Sequence, residues 1–166
     1  MSDLLTGGLL TFGIFGIMLG IILSAAWLIA YVLTSIGLFT IAKKRGLANY
    51  GLAWVPIVRY YLLGTILNNE LAITPKVRVP YFQFILPVSC AMSLVSRFPG
   101  PLFSLLFVAL HILAYIALFR QYREPHAVAY GLLAGIPFIE VIGSVFVYLL
   151  GEKPSPANDA DSTAFP

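Results

Sequence analysis

Apolar positions in this chain run in long uninterrupted blocks, and clusters of basic residues separate one block from the next. From Leu4 to Ala42 there is no charged residue, a run of about 39 residues where roughly 20 suffice to span the hydrocarbon core of a bilayer. Gly7, Gly8, Gly13, Gly16 and Gly20 would allow a turn, but no polar cluster accompanies them. The pattern therefore predicts one long tilted helix over about 12–42, with Leu4 to Thr11 at the outer surface. Lys43, Lys44, Arg45 and Gly46 close it. The next apolar segment, 51–67, is short, broken by Gly51 and Pro56, and charged at Arg59, which predicts a re-entrant segment that dips and returns. Residues 68–80 are polar and turn-rich, with Pro75 and Pro80 excluding a continuous helix, and read as a loop. Two further spans follow at 81–97, interrupted by Pro87, and 101–119, joined by a turn at Arg97 to Pro101. After a second basic cluster the last apolar segment covers 127–150, long enough to span but also readable as a second returning segment. The tail, 151–166, is disordered by composition.

The fold class expected is all-α, a polytopic helical membrane protein with three full spans plus one or two Gly/Pro-broken segments, in a single membrane domain over 1–150. Composition agrees: hydrophobic residues make up 60% and charged residues only 10%, with mean hydropathy +0.92, against about 25% charged in soluble domains. The net charge of +3 does not point to nucleic acid, because the basic residues sit between apolar blocks, where they act as topology signals. Cys90 is the sole cysteine, so neither an internal disulfide nor a cysteine-based metal site is available. Ser24-Ala25-Ala26 looks loosely like a signal cleavage site, but apolar sequence continues past it and reads as an uncleaved anchor.

The charge count decides sidedness. If 51–67 crossed the membrane, the basic residues would divide about four against four. If it returns, Lys43, Lys44, Arg45, Lys76, Arg78, Arg120 and Arg123 all lie on one side, about seven against Arg97 alone. The expected placement is thus multi-pass in a membrane, with the N-terminus outside and the basic clusters on the cytoplasmic side.

A short internal repeat emerges from this order. Tyr50-Gly51-Leu52 followed by Val55-Pro56-Ile57-Val58-Arg59 is matched by Tyr130-Gly131-Leu132 followed by Ile136-Pro137-Phe138-Ile139-Glu140, with one residue inserted. Each copy is a helix, a basic turn and a broken apolar segment, in the same direction, as a parallel repeat requires. Arg59 and Glu140 occupy equivalent places, and a lone buried charge is far costlier than a pair, so they are expected to pair at the repeat interface. His111, near the middle of its helix, is expected to make an interhelical hydrogen bond as a neutral imidazole. Gly16, Gly20 and Ser24 put small residues on one helix face, where another helix can approach closely. Trp54, Tyr60, Tyr61, Tyr81, Phe82, Phe119 and Tyr122 are expected to form an interfacial aromatic belt.

No catalytic motif, cofactor site or metal site is legible: Ser104 and His111 share a helix face but lie about 10 Å apart, too far for a nucleophile and its base. The run Ile41-Ala42-Lys43-Lys44-Arg45-Gly46, followed by Leu52-Ala53-Trp54-Val55-Pro56 and Leu63-Gly64, resembles a group of small uncharacterised bacterial integral membrane proteins. In that group too a first helix ends in a basic, Gly-terminated turn before a Trp-Leu-Ala-Trp-Ile-Pro type segment. The likeness is strongest over 37–66, and this chain has Val58 and Arg59 where the group carries a small polar pair. The resemblance implies a topology and no activity. The expected function is that of an accessory or scaffolding membrane protein without catalysis, embedded in the lipid bilayer and self-associating or docking with a membrane partner. The alternatives are a conduit for an ion or small solute, with Arg59 and Glu140 at its centre, and a membrane-embedded lipid enzyme using His111 or Glu140.

Overall fold

A computed structural model describes residues 2–69, 71–74, 77–95, 100–136 and 139–154. Helix α1 runs from Ser2 to Lys44 without a break, 43 residues or about 65 Å. The segment Leu4 to Thr11 therefore continues the helix and does not form a separate surface element. The glycines there interrupt nothing because no proline or polar cluster offers the backbone an alternative to its own hydrogen bonds. A 3-10 helix, Tyr50–Trp54, follows the basic turn, and Gly46 holds the positive φ of 69° that turn requires. Val55 is extended ahead of Pro56, and the chain re-enters helix as α2, Arg59–Ile66.

The stretch read as a loop folds in part as an antiparallel hairpin of β1, Leu71–Thr74, and β2, Val77–Val79. β-branched residues, Ile73 and Thr74 in β1 and Val77 and Val79 in β2, favour a strand over an open loop. Helix α3, Phe82–Val95, has 14 residues with Pro87 inside, about 21 Å of rise, and residues 96–97 of the span expected over 81–97 lie outside the described residues. Helix α4, Gly100–Gln121, takes in the end of the expected outer turn, whose residues 97–99 lie outside the described residues. The last apolar segment divides into α5, Ala127–Gly135, and α6, Glu140–Glu152. Helix α6 takes in Gly151 and Glu152, and residues 155–166 of the expected tail lie outside the described residues. Two of these helices, α1 over Gly13–Lys44 and α4 over Pro101–Gln121, are long and apolar enough to cross a membrane.

The core gathers around the C-terminal third of α1, where Leu38 and Ile41 meet Leu62 and Leu63 of α2, Leu86 of α3, Tyr115 and Leu118 of α4, and Val147 of α6. Tyr60, Phe82 and Phe119, expected in the aromatic belt, are buried here instead, since large rings contribute most where helices converge. Glycines let the backbones close up. A Cβ at Gly37 would strike the backbone of Val147, at Gly64 that of Gln83, at Gly131 and Gly135 those of Ile116 and Ile112, and at Gly143 that of Ala134.

These contacts and the basic residues define one end of the molecule. Lys44 Nζ donates to the carbonyls of Gly151 at 2.6 Å, Glu152 at 3.0 Å and Lys153 at 3.1 Å, closing the C-terminus of α6 with a cation. Arg45 donates to the carbonyl of Ile66 at the end of α2 and, at 2.8 Å, to Gln121 at the end of α4. It also faces the Tyr122 ring at 5.7 Å, and burial holds the Tyr122 phenol above its ordinary range while Arg45 opposes that rise. Lys153 pairs with Glu124 in the turn before α5. At the other extreme Tyr31, about 20 Å along α1 from Lys44, donates to the carbonyl of Trp54 at 2.6 Å. The chain from Tyr50 to Ile66 thus departs from the basic end, reaches the level of Tyr31 and comes back. The α5–α6 pair likewise begins and ends beside Glu124 and Lys153.

Candidate functional site

Both broken segments restart as helices on an ionisable residue. The Arg59 amide donates to the Val55 carbonyl at 2.8 Å as α2 opens after Pro56, and Glu140 is the first residue of α6. A helix N-terminus carries a partial positive charge, which favours the Glu140 carboxylate and disfavours the Arg59 guanidinium. Arg59 is therefore the member that needs a partner. Its Nη2 lies 3.5 Å from Glu140 Oε1, and the two residues are only 4% and 7% exposed. The same Nη2 donates to the Tyr60 hydroxyl at 3.1 Å. Tyrosine faces cover the guanidinium, its central carbon lying 4.9 Å from the Tyr31 ring centre and 5.1 Å from that of Tyr60. Cation–π contacts of this kind hold a desolvated charge that a single long ion contact would hold poorly.

His111 reaches the same centre from α4. Its ring lies 5.2 Å from Tyr60 and 4.9 Å from Tyr115, and stacks on Phe107 at 5.2 Å. The interhelical hydrogen bond expected of it is not formed: among the described residues neither ring nitrogen meets a partner, because aromatic rings surround the imidazole. Arg59 Nη1, the Tyr115 hydroxyl and the hydroxyls of Thr34 and Ser35 are buried in the same condition. Each such atom left unsatisfied costs about 1–3 kcal/mol.

Of the expected site residues, Arg59, Glu140 and His111 are brought together in this centre. Gly16, Gly20 and Ser24 are remote from it and exposed, with no neighbour within 4 Å of a Cβ built on either glycine, and the Ser24 hydroxyl turns back onto the Gly20 carbonyl at 2.8 Å. Among the basic residues, Lys44 and Arg45 tie helix ends together, while Lys43, Arg78, Arg120 and Arg123 are exposed, and Lys76 lies outside the described residues. Sequence reasoning missed Tyr31, Tyr60 and Tyr115 as members of the centre, and the burial of Thr34 and Ser35 on the Tyr31 face of α1. A usable signal existed: residues 31, 34 and 35 share one face of an otherwise apolar helix, and Tyr115 follows His111 by one turn. Comparison with known proteins gives no match to a family model, to a curated protein or to a solved structure.

Proposed function

We propose that this chain is a multi-pass protein of the bacterial cytoplasmic membrane that works by association, as a scaffolding or accessory component whose partner at α1 is a second copy of itself. One observation carries the reading. From Gly13 to Ile29 every residue of α1 is exposed except Ala26, which is half-buried, while from Ala30 to Ala42 the helix is packed into the bundle. The glycines sharpen it: those in the bundle admit a neighbouring backbone, whereas Gly13, Gly16 and Gly20 meet nothing. Close-packing positions on a bare apolar helix are what a second helix uses in lipid, where van der Waals contact drives association. The length of α1, roughly twice the ~30 Å hydrocarbon core, adds to this, since its apolar surface exceeds what one bilayer covers without strong tilt. In this reading the Tyr50–Ile66 and α5–α6 segments are re-entrant from the cytoplasmic side, supported by their ends being tied to the same basic cluster.

The test is the mass of the purified chain in mild detergent and in nanodiscs. A discrete oligomer that Gly20→Leu dissociates is the expected result, and a monodisperse monomer for the unaltered chain sinks the reading. A second reading, a conduit for a small solute, draws on the buried Arg59 and Glu140, since ionisable groups at membrane depth mark solute and proton pathways. Flux into proteoliposomes that Arg59→Gln abolishes, with assembly intact, selects it over scaffolding alone.

A further inference from the structure

The centre around Arg59 holds more hydrogen-bond donors than the protein uses. Among the described residues the guanidinium presents Nη1 without a partner, the Tyr115 hydroxyl is equally unpaired, and His111 brings one further N–H whichever tautomer it adopts. The geometry keeps these groups together: the Tyr60 ring contacts both His111, at 5.2 Å, and the Arg59 guanidinium, at 5.1 Å, while His111 lies 4.9 Å from the Tyr115 ring. Tyr115 is also within electrostatic range of Arg59 and Glu140. Thr34 and Ser35, one turn along α1 from the Tyr31 that covers the guanidinium, add two unpaired hydroxyls on the same helix face.

We propose that this centre binds a small carboxylate-type anion, seated against Arg59 Nη1 and the Tyr115 hydroxyl. The donor set selects the class. Arginine only donates, and its planar fork matches a carboxylate; a buried phenol beside a cation donates as well. Such a cluster is satisfied by a ligand that only accepts, with two oxygens to share among several donors. Water is the competing occupant, since Glu140 and the hydroxyls here can accept from it, and titration with acetate separates the two. Glu140 tunes the site. Its single 3.5 Å contact is to Nη2 and leaves Nη1 unpaired among the described residues, and its charge opposes a second carboxylate, so it weakens binding without taking the place of the anion. The inference stands whether or not the anion crosses the membrane, and it does not depend on self-association.

The experiment uses the whole chain in mild detergent with isotope-labelled histidine. The sequence contains two histidines, so exposed His126 is an internal reference for buried His111. Sodium acetate is titrated against sodium chloride at matched ionic strength. Acetate is expected to shift the His111 ring resonances saturably, in the millimolar range, and to leave those of His126 in place. Tyr115→Phe, which keeps the ring and removes the hydroxyl, weakens the affinity about tenfold. Glu140→Gln tightens it about tenfold by removing the opposing charge. Arg59→Gln abolishes it, and if that variant does not fold, Tyr115→Phe decides. If acetate moves His111 no more than chloride does, or if Tyr115→Phe binds as the unaltered chain does, the unpaired atoms are met by water and the proposal is overturned. Because binding is read on the purified chain in any oligomeric state, its failure and a failure of self-association are separately visible.

Discussion

Arg59 illustrates how one residue sets the requirements of its surroundings. Placed at the positive end of α2 and only 4% exposed, it is stabilised by Glu140, by the Tyr60 hydroxyl and by two tyrosine faces. Removing either member of the ion pair leaves a buried charge, so Arg59→Ala or Glu140→Ala is expected to destabilise the fold by about 3–5 kcal/mol in detergent unfolding. The exchange of Arg59→Glu with Glu140→Arg should recover part of that loss, and also place the cation at α6 where it meets an equally unfavourable helix end. A double variant no more stable than the worse single one argues against a specific pair. The pairing was legible from the register of two broken segments, because ionisable residues at equivalent depths are costly alone. The tyrosines were not legible: an aromatic ring fits an interface and a buried cation site equally well, and only packing distinguishes them.

At the scale of the element, glycine separates the two halves of α1. Gly143→Ala would force a methyl into the backbone of Ala134 and should prevent α5 and α6 from closing, seen as loss of the folded species by size exclusion. Gly20→Leu meets nothing within the chain and should leave its unfolding within about 1 kcal/mol of the original while breaking self-association. Lys44→Met should cost about 1 kcal/mol, since the cation closes the α6 C-terminus and three carbonyls lose a donor. Helix lengths were less legible than helix existence. The helix expected from about 12 extends to Ser2 and runs through six glycines, because helix ends depend on what the flanking backbone can hydrogen-bond elsewhere.

For the whole molecule the question is which ends lie on one side of the membrane. Arg45 and Lys44 connect the ends of α2, α4 and α6, which makes the basic end a single face of the bundle. In a Cys90→Ser background, the proposed topology therefore predicts that Asn69→Cys and Glu152→Cys react with an impermeant thiol reagent from the same, cytoplasmic, side alone. Reaction of position 69 from the outside would mean that Tyr50–Ile66 spans, and the dip-and-return topology would fall with it.

Apolar block length, basic clusters and the Gly/Pro breaks determined by themselves that the chain is helical, where its segments divide and which ionisable residues lie within them, because these follow from backbone hydrogen bonding and from the cost of charge in an apolar medium. Only the tertiary structure decided that α1 is packed from Ala30 to Ala42 and bare from Gly13 to Ile29, that α5 and α6 turn back between α1 and α4, and that His111 joins Arg59 and Glu140 among rings with its nitrogens unpaired among the described residues. Those outcomes depend on which faces meet across long sequence separations. Local pattern carries no record of such contacts, and an apolar face reads the same whether lipid or a neighbouring helix covers it.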